Sequence, residues 1–321
     1  MKHYLFFCLL LFSAITAVVA QPIPSKYNNI EFLQTFGNKA SAAWGDDDYV
    51  QTNFVAVPLD YKQPLYIRIF DANCGGAHDQ INGTYNTKTK FTVYGGNGAY
   101  SNEDARKINP VNNYDSGVLL YTKVFDNSPE FDNNWFTFGP INPSEGEFDK
   151  ELNAHVFKII TEGISGDDGN MYNYYISTSG TDNKPIEGLN TFAYEISFRM
   201  QPSAEQKQIH IYPFVDKQVV SITQNNFDFD NLGFVRLTSV AKKVNIQEAS
   251  LDGTWAKTLA KITEAELNTS LDYCIVNTST KTNDATLYFV NQYGKAIPFF
   301  TTPIGGLPKY KYKINISYDV E

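Results

Sequence analysis

Positive charge is scarce in this sequence. It holds 26 Lys and Arg residues against 35 Asp and Glu residues, a formal net charge of −9. No basic cluster is larger than the alternating lysines near the C-terminus. Proteins that bind nucleic acids or anionic membranes need a basic patch that neutralises phosphates. The charge balance therefore excludes nucleic acid from the expected partners and argues against an anionic lipid surface.

Familiar catalytic signatures are also missing. The sequence has no G-x-S-x-G elbow, H-E-x-x-H pair, P-loop or paired C-x-x-C motif. Its histidines beyond the N-terminal segment, His78, His155 and His210, are too widely spaced to indicate a metal site. We predict no catalytic residue. A secreted hydrolase stays open as a second alternative, because the two carboxylates of a glycosidase need no fixed spacing.

The sequence has one long apolar run, at its N-terminus. Lys2 and His3 precede the run, residues 4–19, and the small residues of "AVVA" end it at Ala20. This pattern predicts a cleaved signal peptide over residues 1–20. A span of about 16 apolar residues is short of the roughly 20 that a membrane helix needs. We therefore expect no membrane span and a secreted, periplasmic or outer-surface location.

Cysteine is rare, with 3 residues in all. Removal of the signal peptide with Cys8 would leave Cys74 and Cys274. A disulfide between them would suit an exported protein, but it would close a span of about 200 residues and, on the predicted boundary, join two domains; free or buried thiols are therefore the expectation and the disulfide is the alternative. Cys74 would be a nucleophile only beside an oriented base, and the nearby His78 on a flexible loop does not make an oriented pair.

Strong helix formers are sparse, whereas aromatic residues make up 15% of the chain. Alternating strand patterns recur, as in "TFAYEISFRM" (191–200) and "YKYKINISY" (310–318). Helix is limited to short capped turns beginning near Ser101 and Thr263. Alternation of this kind is typical of antiparallel sheets with one buried face. We predict an all-β fold, an antiparallel β-sandwich of jelly-roll-like type.

A polar stretch, "QPSAEQKQ" (201–208), separates two strongly alternating strands. Its composition and Pro202 are typical of a linker. This predicts two β-sandwich domains, residues 21–200 and 209–321. The alternative is a long loop inside one two-sheet domain.

The segment "IRIFDANCGG" (67–76) begins as a strand and breaks into an acidic, glycine-rich loop. Period-two alternation places Asp71 on the core face at the end of this strand. A carboxylate there needs partners, and Asp71, Asn73 and Asp79 offer the oxygen ligands that calcium prefers. The simpler expectation is an Asx-type turn in which Gly75 and Gly76 take positive φ, and calcium binding is its alternative. No other cofactor is expected.

Three other acidic loops, "GDDD" (45–48), "SGDDGN" (165–170) and "DFDNLG" (228–233), also cluster oxygens. The third is not an EF-hand, because Leu232 and Ser239 stand where ligands should be. In this third loop, alternation alone places Asp228 and Asp230 on the solvent-exposed face of a strand. The second is most simply a hairpin connection.

The three tryptophans, Trp44, Trp135 and Trp255, are candidates for stacking on sugar rings. Tryptophans also fill cores. A flat row of exposed rings would favour glycan binding, and buried rings would favour a scaffold.

Several segments carry a resemblance to known families. The layout "YVQTNFVAVP", "PLYIRIFDANCGG" and "GEFDKELNAHVFKIITEGISGDDGNMYNYYIS" is similar to exported pre-peptidase C-terminal-type jelly-roll modules. With "NFDFDNLGFVRL" and "NQYGKAIPFFTTPIGGLPKYKYKI", the chain also resembles the exported N-terminal region of large OmpA-type bacterial surface proteins. The resembling region has no assigned activity. The export signal, the predicted sandwich and the missing catalytic motifs favour a secreted or cell-surface, non-catalytic β-sandwich protein for adhesion, assembly or structure, with a glycan or cell-surface protein as the kind of partner expected. Carbohydrate binding is the first alternative.

Overall fold

A computed structural model of the chain describes residues 30–43, 48–205 and 208–301. The predicted signal peptide, Trp44 and the alternating segment 310–318 lie outside these ranges. The described residues form an all-β structure of two large, open antiparallel sheets. This confirms the predicted fold class and the antiparallel sandwich.

The described strands are β1 (Leu33–Phe36), β2 (Val50–Pro58), β3 (Leu65–Phe70), β4 (Lys88–Gly95), β5 (Val118–Phe125), β6 (Trp135–Ile141), β7 (Glu147–Asp149), β8 (Ala154–Ser165), β9 (Gly169–Ser177), β10 (Asn190–Ala193), β11 (Glu195–Met200), β12 (Gln208–Val215), β13 (Ser221–Phe227), β14 (Gly233–Thr238), β15 (Asn245–Gln247), β16 (Trp255–Lys261), β17 (Thr269–Ser270), β18 (Asp272–Asn277), β19 (Asn283–Asn291) and β20 (Phe299–Phe300). The described helical segments are short 3-10 turns at Glu103–Arg106, Pro129–Phe131, Pro143–Glu145, Ser203–Glu205 and Glu264–Glu266. None of them is long enough to span a membrane.

Sheet I has 8 strands in the order β16-β13-β19-β11-β1-β9-β3-β6. Sheet II has 12 strands; its main path runs β15-β14-β18-β12-β20-β10-β2-β8-β4-β5, with β17 beside β12 and β7 beside β8. The core lies between the sheets because alternate residues of each strand point inward. In β12, for example, Ile209, Ile211 and Val215 are buried in the core, while His210 and Tyr212 between them are half-buried.

The segment 191–200, predicted as one strand, is divided between the sheets. β10 pairs with β2 in sheet II, and β11 pairs with β19 in sheet I. The division falls at Tyr194. Phe192 and Tyr194 pack with Phe54 in a hydrophobic cluster that is separate from the main core, at ring-centroid distances of 6.3 Å or less. Alternation alone does not reveal such a change of sheet, because the inward face can stay apolar through the bend.

Strands on both sides of the predicted linker share the two sheets. All six residues of β11 pair with β19, and β10 pairs with β20. One hydrophobic cluster contains Leu33 and Ile67 from before the stretch 201–208, and Leu287 from after it. The division into two domains stays a prediction, and this shared pairing favours its alternative.

The pairing predicts the behaviour of protein cut within residues 201–208. We expect the two fragments to elute together in size-exclusion chromatography without denaturant, because separating them would expose shared core and break the β11–β19 ladder. Fragments that separate and each keep a strand-type circular dichroism spectrum would establish two domains instead.

Candidate functional site

Asp71 lies at the end of β3, where the sequence placed it. Its residue is fully buried, and its backbone φ of 57° turns the chain out of the strand. One carboxylate oxygen, Oδ1, accepts the backbone N–H of Asn133 at 3.1 Å. The other, Oδ2, is buried and has no hydrogen-bond partner among the described residues. Burial raises the pKa of Asp71 to about 6, against the lowering effect of the Asn133 N–H.

Two neighbouring amides also leave buried oxygens without partners. Asn73 is 2% exposed, and its Oδ1 accepts no hydrogen bond from a described residue. Asn170 in β9 donates its amide N–H groups to the Ala72 carbonyl at 3.1 Å and to Thr89 Oγ1 at 2.9 Å. These bonds hold Asn170 beside the loop and leave its Oδ1 unpartnered. Asp71, Asn73 and Asn170 thus present three buried acceptor oxygens that have no donor among the described residues, which is costly unless a ligand satisfies them.

Asp79 has a different role from Asp71. Its two oxygens accept the backbone N–H groups of Met171 and Gly75, each at 2.6 Å. Burial raises the pKa of Asp79 well above its usual range, although these hydrogen bonds lower it. Gly75 and Gly76 take positive φ values of 152° and 85°, as predicted for the turn. Asp79 therefore caps the turn, and the carboxylate with a free oxygen is Asp71.

The acidic loop between β8 and β9 is not the predicted hairpin. β8 belongs to sheet II and β9 to sheet I, so the connection crosses the sandwich. Asp168 in this crossing accepts the backbone N–H groups of Asn82, Asn86 and Thr87, at 2.8 to 3.2 Å. The sequence does not indicate that Asp168 accepts these hydrogen bonds, because Asp168 and its partners are more than 80 residues apart.

A second acidic group gathers Asp228, Asp230 and Asp252, with oxygens within 4.8 Å of one another. The prediction that Asp228 and Asp230 line the wet face of a strand is wrong. β13 ends at Phe227, and both residues take left-handed φ values, 59° and 54°. Asp228 accepts the N–H of Gly253 at 2.8 Å. Burial, and then the charges of Asp230 and Asp252, raise the pKa of Asp228 to about 6.

An open cavity of about 430 Å³ joins this second group to the loop after β3. Its lining includes Asp79 and Gln80 of that loop together with Asp228, Asp230 and Asp252.

Arg199, in β11, connects the cavity walls. Its guanidinium binds Asp284 through Nε and Nη2, at 2.8 and 3.0 Å, and donates from Nη1 to the His78 carbonyl at 2.9 Å. The long-range pairing that builds this wall was not readable from the sequence.

The described tryptophans do not form a row. Trp135 begins β6 and Trp255 begins β16, the opposite edge strands of sheet I. Both are half-buried. Trp135 packs against Phe70 at 5.3 Å and lies under Arg68, and Trp255 packs against Phe227 at 5.2 Å. These two rings therefore do not form the flat, exposed row that would favour glycan binding.

Both described cysteines are free thiols and buried. His78 binds Asn133 Oδ1 at 2.6 Å and packs on Phe32 at 4.8 Å, so its described contacts are not with Cys74. Comparison of the chain with models of known protein families finds no match, and comparison with curated proteins finds none either.

Proposed function

We propose that the protein is an exported, non-catalytic β-sandwich protein that binds calcium at the loop after β3. Export rests on the N-terminal pattern of residues 1–20, and a glycan or surface protein as partner stays a prediction. The observation that carries the cation is the set of three buried, unpartnered oxygens, Asp71 Oδ2, Asn73 Oδ1 and Asn170 Oδ1.

The chemistry of these atoms favours a hard cation over a water molecule. All three are oxygens, and the amide N–H groups of Asn170 are already committed to Ala72 and Thr89. Calcium binds 6 to 8 oxygens from carboxylates, amides and carbonyls, and it tolerates irregular geometry. A cation would also offset the unfavourable burial of the Asp71 charge, which a neutral water molecule would do less well.

Calcium-dependent unfolding tests this proposal. Calcium added to protein stripped with a chelator is expected to raise the stability of the wild type, by about 2.7 kcal/mol at a hundred times the dissociation constant. Magnesium should do less, because it demands octahedral geometry and keeps its water. Asp71→Asn, which keeps the shape and the acceptor for Asn133, should abolish the response.

Asp230→Asn is the matched control, since Asp230 is exposed and belongs to the second acidic group. It should leave the calcium response unchanged. A response lost in Asp230→Asn and kept in Asp71→Asn would move the cation to Asp228, Asp230 and Asp252. The absence of any response in the wild type would overturn the proposal.

A further inference from the structure

The outward face of sheet II carries a cross-strand row of chemically active side chains. His210 in β12 lies directly opposite Cys274 in β18, and Cys274 lies directly opposite Arg236 in β14. The neighbours of Cys274 in sequence, Tyr273 and Ile275, belong to the core. Because successive side chains of a strand point to opposite faces, Cys274 faces away from the core.

Contacts within the row join a thiol, an imidazole and a carboxylate. His210 Nδ1 lies 2.8 Å from Asp272 Oδ1, and Cys274 stands directly opposite His210 in the register of β12 and β18. Hydrogen bonding to Asp272, and then to Cys274, raises the pKa of His210 to about 10. The imidazole is therefore protonated at neutral pH and sits beside the sulfur as a cation.

Arg236 adds a second cation. Its Nη2 lies 3.3 Å from Cys274 Sγ. The thiol contacts Gln208 Oε1 at 3.3 Å, and Gln208 is exposed. Cys274 itself is fully buried, so a reagent reaches the sulfur only after side chains around it move aside, Gln208 and Arg236 among them.

Cys74 offers an internal contrast. It is 4% exposed, and burial followed by the charges of Asp79, Asp168 and Asp71 raises its thiol pKa far above the ordinary value. Three carboxylates thus lie near the Cys74 thiol, whereas the Cys274 thiol has two cations near it, His210 and Arg236, and one carboxylate, Asp272. A thiolate, not a thiol, is the attacking species in disulfide exchange.

We propose that Cys274 is a reactive thiol site, paired with His210 and positioned through Asp272, that forms a mixed disulfide with an anionic low-molecular-weight disulfide. The Cys274 thiol first loses its proton to water, and Sγ then attacks one sulfur of the disulfide, so that a new S–S bond forms and the old one breaks. The second sulfur leaves as a thiolate and takes the proton held by His210. Arg236 provides charge complementarity for a carboxylate of the reagent. Cys74, in the loop after β3 of sheet I, is not placed to resolve the adduct.

Glutathione disulfide is the probe, and peptide mass spectrometry of the full chain reports the rate at each cysteine separately. At pH 7 we expect Cys274 to be modified at least about tenfold faster than Cys74. His210→Gln should lower the Cys274 rate about tenfold at pH 7 and leave it nearly unchanged at pH 10, where hydroxide ionises a thiol without help. Asp272→Asn should lower the Cys274 rate at pH 7 by a smaller factor, and the rate should again be nearly that of the wild type at pH 10. A purely structural role would change the rate at both pH values.

Among the described residues, the charged or titratable groups near the sulfur are His210 of β12, Asp272 of β18 and Arg236 of β14, with Tyr212 stacked on His210 at 6.3 Å. Tyr212→Phe should keep the wild-type profile. The wild-type comparison decides the proposal even if a variant misfolds. Equal rates at Cys74 and Cys274 in folded protein, with both modified after denaturation, would overturn it.

Discussion

Arg199→Met is expected to destabilise the fold by about 3–5 kcal/mol, because it leaves the Asp284 carboxylate buried without its cation. The two side chains are only 17% and 10% exposed, so water does little to screen the loss. The same change removes the hydrogen bond from Arg199 to the His78 carbonyl, which ties the loop after β3 to β11. Urea unfolding followed by circular dichroism measures the effect.

Two control variants separate the stranded charge from lost packing. Arg199→Met with Asp284→Asn keeps an oxygen for Gln34, which donates to Asp284 Oδ2 at 2.6 Å, and should recover much of the loss. Lys88→Met breaks a pair that is 46% and 59% exposed and should cost under about 1 kcal/mol. If the double variant is no more stable than Arg199→Met alone, packing and not the buried charge explains the effect.

The sequence predicted those features of the fold that depend on neighbours in the chain. Alternation over residues 191–200 predicts strand, and the structure forms β10 and β11 there. The exchange of strands between sheets at Tyr194 and across residues 166–168 was not predicted. Both depend on which distant strand offers a partner, and a period of two carries no information about the partner.

Prediction of the candidate site was limited in the same way. Asp71 was identified because it follows the end of an apolar strand, a local signal. Asn170, which completes the set of buried oxygens, lies in β9 and reaches the loop only through the pairing of β3 with β9. Asp252 joins Asp228 only in the folded chain. A sequence shows which loops are rich in oxygen ligands. It does not show which of those loops lie next to one another in the folded chain.

The cysteines show why nearness in sequence misleads. His78 is four positions from Cys74, yet its described contacts are with Asn133 and Phe32. His210 is 64 positions from Cys274 and lies directly opposite it, because antiparallel register sets residues of adjacent strands face to face. A histidine in an alternating strand is easily read as a wet-face residue, and only the register assigns it a partner.

Asp71→Asn is expected to remove a pH dependence from the stability of the calcium-free protein. Burial raises the folded-state pKa of Asp71 from 3.8 to about 6. Between these values the folded state binds more protons than the unfolded state, so wild-type stability falls as pH rises through this window. The shift corresponds to about 3 kcal/mol, lost progressively above pH 4 and fully lost above pH 7.

The measured quantity is the free energy of unfolding of Asp71→Asn minus that of the wild type, at pH 4 and pH 8 with chelator present. We expect the difference to rise by about 3 kcal/mol in favour of the variant, because a neutral amide needs no proton. Asn also tolerates the left-handed backbone at this position. Saturating calcium should reduce the rise, since a bound cation stabilises the Asp71 carboxylate and restores the wild type at pH 8. If the stability difference changes equally between pH 4 and pH 8 with and without calcium, the cation binds elsewhere. If it does not change with pH under either condition, the Asp71 carboxylate is stabilised in the folded chain without any cation.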